Sequence, residues 1–244
     1  MQRFFVSPED IRGNEIVLRK QAHQIRDVLR LKEGEYITLL DNEGWEYEVS
    51  LTKVGRNEIK GEVIEKRKAK GQPRVKITLY QAMTAREKFE WVLQKCTEVG
   101  VVKFVPVITE RSIVRDCKIK QNKMERWRQI IQEAAEQSHQ GRMPDISPPV
   151  TFEKAIEKID GYGCKLIASP AAESSNLRNC LKGFNCGEAA LFVGPEGGFT
   201  KDEIKMCVEK GARAFSLGER ILRTETAAVV ASALILYESG ELEG

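Results

Sequence analysis

Two histidines in 244 residues leave little room for imidazole chemistry. His23 and His139 lie far apart in the chain, and a lone histidine is more often a surface or packing group than a catalyst. No G-x-S-x-G elbow accompanies them, so a triad hydrolase is disfavoured. The P-loop pattern G-x-x-x-x-G-K-[S/T] is missing too. Gly161-Tyr162-Gly163 has no third glycine and precedes a strand instead of following one, so the dinucleotide fingerprint fails. The six cysteines, at 96, 117, 164, 180, 186 and 207, contain no C-x-x-C pair. That signals neither zinc nor a redox dithiol, and unpaired thiols in a reducing compartment are expected. No apolar run approaches the ~20 residues of a membrane span, and the opening MQRFFVSPED lacks the apolar core of an export signal. A soluble, cytoplasmic, metal-free protein with no membrane partner is expected.

Net charge is also small, +3, but it is unevenly spread. Lys60 to Lys76 holds seven basic residues against Glu62 and Glu65, and Lys103 to Arg128 holds eight against Glu110, Asp116 and Glu125. Two basic tracts on a nearly neutral chain suit a phosphate-contacting face, or equally a solvated linker and helix surface.

What is present divides into two rhythms. Arg3 to Val6 reads as a strand, Lys20 to Leu29 as a short helix, and Glu35 to Leu40 as a strand ending in the turn Asp41-Asn42-Glu43-Gly44. Trp45, Tyr47, Val49 and Leu51 then alternate with Glu46, Glu48, Ser50 and Thr52, the pattern of a half-buried hairpin strand. Ile59, Gly61 and Val63 repeat it. Several short strands and one helix in some seventy residues predict a small barrel over 1–72. Lys66 to Arg74, apolar only at Ala69 and holding Gly71 and Pro73, is the linker candidate.

From 73 to 244 strands alternate with helices, the signature of a parallel α/β sheet. Strands are predicted at Val75–Ala82, Phe104–Ile108, Lys165–Ala168, Ala189–Val193 and Ala214–Leu217. Helices are predicted at Arg86–Val99, stopped by Gly100, at Gln121–Ser138, from Thr200-Lys201-Asp202-Glu203 to Gly211, and at Thr224–Tyr237. The first of these helices places Phe89, Leu93, Cys96 and Val99 on one side.

Two late segments carry the chemistry. In the first, a buried strand runs through Gly194-Pro195-Glu196-Gly197-Gly198 into a capped helix. Glycines there let main-chain groups approach a ligand, at the carboxyl end of a strand where open α/β sheets bind; a plain strand-to-helix turn fits the same residues. In the second, Leu217-Gly218-Glu219-Arg220-Ile221-Leu222-Arg223, three apolar side chains stand in a loop. Left exposed they would cost free energy, so burial against the core or against a flat ligand is expected.

GPEGGFT followed by LGERILRTETA resembles the signature of the bacterial 16S rRNA uridine-N3 methyltransferases, a branch of the SPOUT superfamily. MQRFFV, HQIRDVLR (23–30), KCTEVG (95–100) and EQS (136–138) agree in order over essentially the whole chain. The resemblance implies a PUA-like β-barrel at the N-terminus and a C-terminal SPOUT domain whose parallel sheet holds a deep trefoil knot. It implies a homodimer that uses S-adenosylmethionine, without metal, to methylate N3 of a uridine of 16S rRNA in the small ribosomal subunit, position 1498 in the family's reference numbering. The family's cofactor loops carry over onto Ser169, Val193, Gly194, Pro195, Glu196, Gly197, Gly198, Leu217, Gly218, Ile221, Leu222 and Thr226.

The chain departs from the family in two places. His139-Gln140 follows the EQS triplet where an arginine is usual, and Arg142 comes two positions later; Glu219 stands where a basic or neutral residue is common. Uracil N3 must lose a proton before it attacks, which calls for a base or a group that stabilises the anion. Glu196 is the candidate base, with shaping of the turn as its equally weighted alternative. Arg223 or Arg142 is the candidate for stabilising negative charge or holding a phosphate. Arg3, His23, Arg30, Lys66, Arg67 and Lys68 are candidates for the RNA track. A non-catalytic RNA-binding module and a ribose 2′-hydroxyl methyltransferase are the competing functions.

Overall fold

The computed structural model describes residues 1–170, 175–182 and 187–242. Cys186 lies outside them. The chain forms two compact units, Met1–Gln72 with Ala135–Met143 and Pro73–Ala134 with Pro144–Gly244.

The first unit is a six-stranded sheet. Its strands are β1 (Gln2–Phe5), β2 (Ile11–Arg12), β3 (Glu15–Leu18), β4 (Tyr36–Leu40), β5 (Trp45–Val54) and β6 (Ile59–Lys68), ordered β1-β4-β5-β6-β3-β2. Only the β1–β4 pairing is parallel. The alternation along β5 does what its period requires. Tyr47, Val49 and Leu51 face a core shared with Phe4, Ile16, Leu18, Ile25, Ile37 and Leu39. The segment 135–143 joins this unit, where Glu136 Oε1 accepts the Phe5 backbone N–H at 2.9 Å and Ala135 packs with Phe5 and Leu40.

Three local expectations change here. The helix over Lys20–Leu29 contracts to a short helical segment containing a single π-helical turn, Gln24–Val28, anchored by Ala22 and Ile25. Lys66 to Lys68 are the end of β6, laddered to Trp45–Tyr47, so the connection begins only after them. A strand ladder is made of backbone bonds and needs no apolar side chain. Glu46, on the polar face of the alternation, is only 4% exposed because Arg3 and Arg67 close over it.

The second unit is an eight-stranded, wholly parallel sheet. Its strands are β7 (Lys76–Ala82), β8 (Lys103–Ile108), β9 (Asp145–Ile146), β10 (Val150–Thr151), β11 (Cys164–Ala168), β12 (Ser175–Asn176), β13 (Glu188–Val193) and β14 (Arg213–Ser216). They run β10-β8-β7-β13-β11-β14-β12, with β9 also on β8. The helices are α1 (Arg86–Val99), α2 (Gln121–Gln137), α3 (Phe152–Ile156), α4 (Leu177–Leu181), α5 (Lys201–Glu209) and α6 (Thr224–Glu238). The expected α/β fold with a parallel sheet is present.

Strand β13 is buried on both faces from Ala189 to Val193, which is why it reads as an unbroken apolar run. On one face Phe192 stacks on Tyr80 with ring centroids 4.4 Å apart, and Phe152 meets it edge-on. Helix α1 buries Phe89, Val92, Leu93 and Cys96 and ends at Gly100, whose φ of 119° is the left-handed C-terminal stop. Thr200 and Glu203 form the reciprocal capping box that starts α5. Cys96, Cys117, Cys164, Cys180 and Cys207 are free thiols.

Candidate functional site

Three neighbouring strands of the second unit, β13, β11 and β14, end side by side, and the loops that leave them enclose a cavity of about 400 Å³. Ala168, Ser169 and Pro170 come from the first loop after β11, Val193 to Gly198 from the turn after β13, and Phe215 to Gly218 from the end of β14. Arg220 to Thr224 and Ala227, leading into α6, complete the wall. Ligands in open parallel sheets bind at this carboxyl edge. The first turn of α6 adds unpaired backbone N–H groups and the positive end of a helix dipole.

The turn after β13 is held from several sides. Gly198 N donates to the Pro195 carbonyl at 2.9 Å, and Gly198 adopts a φ of 66°. Arg111 donates from Nη1 to the Gly197 carbonyl at 2.8 Å. Thr224 Oγ1 donates to the Gly194 carbonyl and accepts from Gln81 Nε2 at 3.0 Å, joining the ends of β7 and β13 to the start of α6. Ser169 N donates to the Phe215 carbonyl at 2.8 Å, which fixes the loop after β11 beside β14.

Lys88 of α1 lies 2.9 Å from Glu196 Oε1. Burial acts to raise the Glu196 pKa, but the Lys88 bond, the residue's own backbone N–H and the Lys88 charge outweigh it, and the carboxyl lies below its ordinary value. It is therefore ionised at neutral pH and weakly basic. Arg220 and Arg223 are exposed on the wall, with no ion pair among the described residues.

Of the cofactor candidates, Ser169, Val193, Gly194, Pro195, Glu196, Gly197, Gly198, Leu217, Gly218, Ile221 and Leu222 line this one cavity; Thr226 does not, and Ala227 does. The expected burial of the apolar loop residues is only partial. Leu217 and Leu222 are half-buried, but Ile221 is 85% exposed, because the protein itself offers nothing to cover it. Arg223 is on the wall, whereas Arg142 belongs to the first unit, where its Nη2 donates to the Glu43 carbonyl at 2.7 Å.

The RNA candidates are all in the first unit, and their charges are unequally available. Arg3 and Arg67 are drawn onto Glu46 at 2.7 and 2.6 Å. His23 lies 2.7 Å from Asp27. Arg30, Lys66 and Lys68 are exposed.

The motifs did not point to Gln81, Lys88 or Arg111. Gln81 left a trace, an amide inside the apolar strand ITLYQA; the other two look like any surface cation.

Residues 71–236 match the model of the RNA methyltransferase domain. The ribosomal RNA small subunit methyltransferase E of Synechocystis sp. is 35% identical over 96% of this chain and 76% of its own length. The chain belongs to that family. The Bacillus subtilis member is 31% identical over 100% of this chain and 99% of its own. A crystal structure of the Neisseria gonorrhoeae member, bound to S-adenosyl methionine, superposes with a TM-score of 0.87 at 32% identity, covering 97% of each chain. No helix among the described residues is long and apolar enough to cross a membrane, and no group of His, Cys, Asp or Glu among them could hold a metal ion.

Proposed function

We propose that this protein transfers the methyl group of S-adenosylmethionine to N3 of a uridine in 16S rRNA of the small ribosomal subunit. The observation that carries this reading is that two separate motif loops, 194–198 and 217–224, close on one cavity. The cavity suits the donor. It falls within the ~300–1,000 Å³ of small-molecule sites, it combines main-chain polar groups at Gly194–Gly198 with the apolar side chains of Leu217, Ile221 and Leu222, and Ile221 is uncovered without a ligand. When bound, the donor supplies an electrophilic methyl group on a positively charged sulfur.

The protein's task is then alignment and charge control. Holding a nucleophile in line with the methyl group can supply much of the rate acceleration. Uracil N3 gives up its proton and then bonds the methyl carbon, as that carbon's bond to sulfur breaks and the sulfur leaves as a neutral thioether; between the two events the ring carries anionic character. We assign Arg223 to that charge, since its guanidinium stands on the wall without a carboxylate partner among the described residues. Glu196 is assigned to anchoring the turn through Lys88, and the N3 proton to solvent, because a carboxylate bonded to Lys88 with its pKa lowered is a poorer base than a free one. The PUA-like character of the first unit, a knot in the second and homodimerisation belong to the same proposal and rest on the resemblance; a cytoplasmic location belongs to it as the compartment of a ribosomal RNA substrate.

The test is to incubate small subunits lacking the modification with methyl-labelled donor, digest the RNA and identify the labelled nucleoside. 3-Methyluridine is expected. A 2′-O-methyl nucleoside would move the chemistry to ribose, and no transfer from a folded protein would reject the enzyme reading.

A further inference from the structure

The first unit has a cavity of its own, again about 400 Å³, whose lining includes Gly13, Asp41, Glu43, Trp45, Tyr47 and Lys66. It lies where the core face of β5 and β6 opens to solvent. The two faces of this ladder differ sharply. On one, Glu46 is bonded to both Arg3 and Arg67, and those cations are spent. On the other, Trp45 and Tyr47 stand two residues apart on β5, with Lys66 directly opposite Tyr47 on β6.

The Lys66 ammonium lies 4.8 Å from the Trp45 ring centroid and 5.1 Å from that of Tyr47, and it has no carboxylate partner among the described residues. Asp41 fixes the floor. Its Oδ1 accepts the Glu43 and Trp45 backbone N–H groups at 2.8 and 3.1 Å, and its Oδ2 accepts the Tyr47 hydroxyl at 3.1 Å. Tyr47 is thereby locked, while Trp45 remains 37% exposed at the rim. The facing wall is open, since a Cβ added to Gly13 would meet nothing within 4 Å.

An aromatic wall held in place by Asp41, with an ammonium that has no carboxylate partner among the described residues resting on the rings, matches the needs of one unstacked base with its phosphate: the base takes the ammonium's place on Trp45 and the ammonium swings to the phosphate. Bases stack on such rings whatever their sequence, and the cation takes the backbone charge. We propose that this pocket receives one unpaired nucleobase of the RNA substrate, stacked on Trp45, with the adjoining phosphate on Lys66. The proposal rests on RNA being the substrate. It makes the first unit a reader of a single-stranded nucleotide, where a surface of dispersed positive charge would contact only phosphates.

The experiment compares the full-length protein with Trp45→Ala, Trp45→Phe and Lys66→Gln, using unmodified small subunits as substrate. It measures the KM for subunits at several salt concentrations, and the affinity for S-adenosylmethionine by calorimetry. Trp45→Ala is expected to raise the KM for subunits about tenfold, and Trp45→Phe to restore most of that loss. Lys66→Gln is expected to flatten the dependence of log KM on log salt by about one phosphate contact. Donor affinity should stay at the wild-type value in all three. Should Trp45→Ala destabilise the unit, the salt slope of Lys66→Gln decides alone, and an unaltered slope then overturns the pocket. A wild type that methylates subunits, with a KM within twofold in Trp45→Ala and an unaltered salt slope in Lys66→Gln, overturns this pocket and leaves the enzyme reading intact. A wild type that neither binds nor methylates subunits overturns both.

Discussion

Lys88 reaches the carboxylate of Glu196 at 2.9 Å and so ties the turn after β13 to α1, the helix that follows β7. The same contact decides what the acid can do. A partly exposed ion pair contributes up to ~1 kcal/mol, or about fivefold in an equilibrium. A general base is worth ~10²–10⁴ in rate. Glu196→Gln and Lys88→Met are therefore expected to lower donor affinity by no more than about fivefold each, with kcat nearly kept. Steady-state kinetics of both variants checks this. A loss of kcat above a hundredfold in Glu196→Gln alone would restore the carboxylate as the base.

The direction of the Glu196 shift also fixes a pH window. Its folded pKa is lowered, so the ion pair is fully present above the ordinary carboxylate value and is lost only as pH falls through the lowered one. Between about pH 6 and 9 the rate should rise, if at all, with loss of the N3 proton, and the Glu196→Gln profile should run parallel to that of the wild type. A limb near neutrality that vanishes in the variant would contradict the assignment.

Thr224 is both donor and acceptor at the junction of three elements, bonded to the Gly194 carbonyl and to Gln81. Thr224→Val keeps the shape, removes the donor to the Gly194 carbonyl and leaves Gln81 Nε2 with only its bond to the Ala82 carbonyl at 3.2 Å, at a cost of ~1–2 kcal/mol. Thr224→Ser keeps the hydroxyl and should recover most of it. Urea unfolding midpoints of the two variants give the comparison, and the donor affinity should follow the same order.

Much of this site was legible before the fold was known. The helix 86–99 and its glycine stop follow from apolar spacing, and the capping box at Thr200 and Glu203 from two residues. Both signals are local, which is why they survive without tertiary information. The expected linker over 66–74 differs from the structure only at its start, where Lys66 to Lys68 finish β6, since charged side chains in a strand ladder leave no apolar trace. Glu46 looked solvated because alternation tells which residues share a face and not what covers that face; Arg3, forty-three positions away, does so here. The passage of 135–143 into the first unit depends on contacts such as Phe5 with Glu136, 131 residues apart, for which no local pattern exists.

The two glycines of the turn should respond differently. Gly198 has a φ of 66° and open space around an added Cβ, so Gly198→Ala tests conformation alone, at ~1–2 kcal/mol. At Gly194 an added Cβ would sit 3.2 Å from the Phe199 backbone nitrogen and 3.3 Å from the Gly198 carbonyl carbon, so Gly194→Ala must move the turn itself. Donor affinity is expected to fall more for Gly194→Ala than for Gly198→Ala, as read by equilibrium binding.

Glu46 holds Arg3 and Arg67 in the first unit. Burial acts to raise its pKa, but bonds from Arg67 and Arg3 outweigh that and lower it. Its stabilising contribution is present above the ordinary carboxylate value and disappears as pH drops through the lowered one. Breaking a fully buried pair costs ~3–5 kcal/mol; with the Arg67 side chain 43% exposed, Glu46→Ala is expected to cost about 2 kcal/mol at pH 7. The difference from wild type in urea unfolding should shrink as pH falls through the lowered folded value, where the wild-type carboxylate takes up its proton and the bonds from Arg67 and Arg3 weaken.

Calorimetric titration of S-adenosylmethionine into the purified protein tests the cavity most directly. Saturable heat at one site per chain, weakened in Gly194→Ala, is expected if the loops at 194–198 and 217–224 form the donor site. A folded wild-type protein that gives no binding heat, and does not bind the donor by equilibrium dialysis of the same samples, would contradict it.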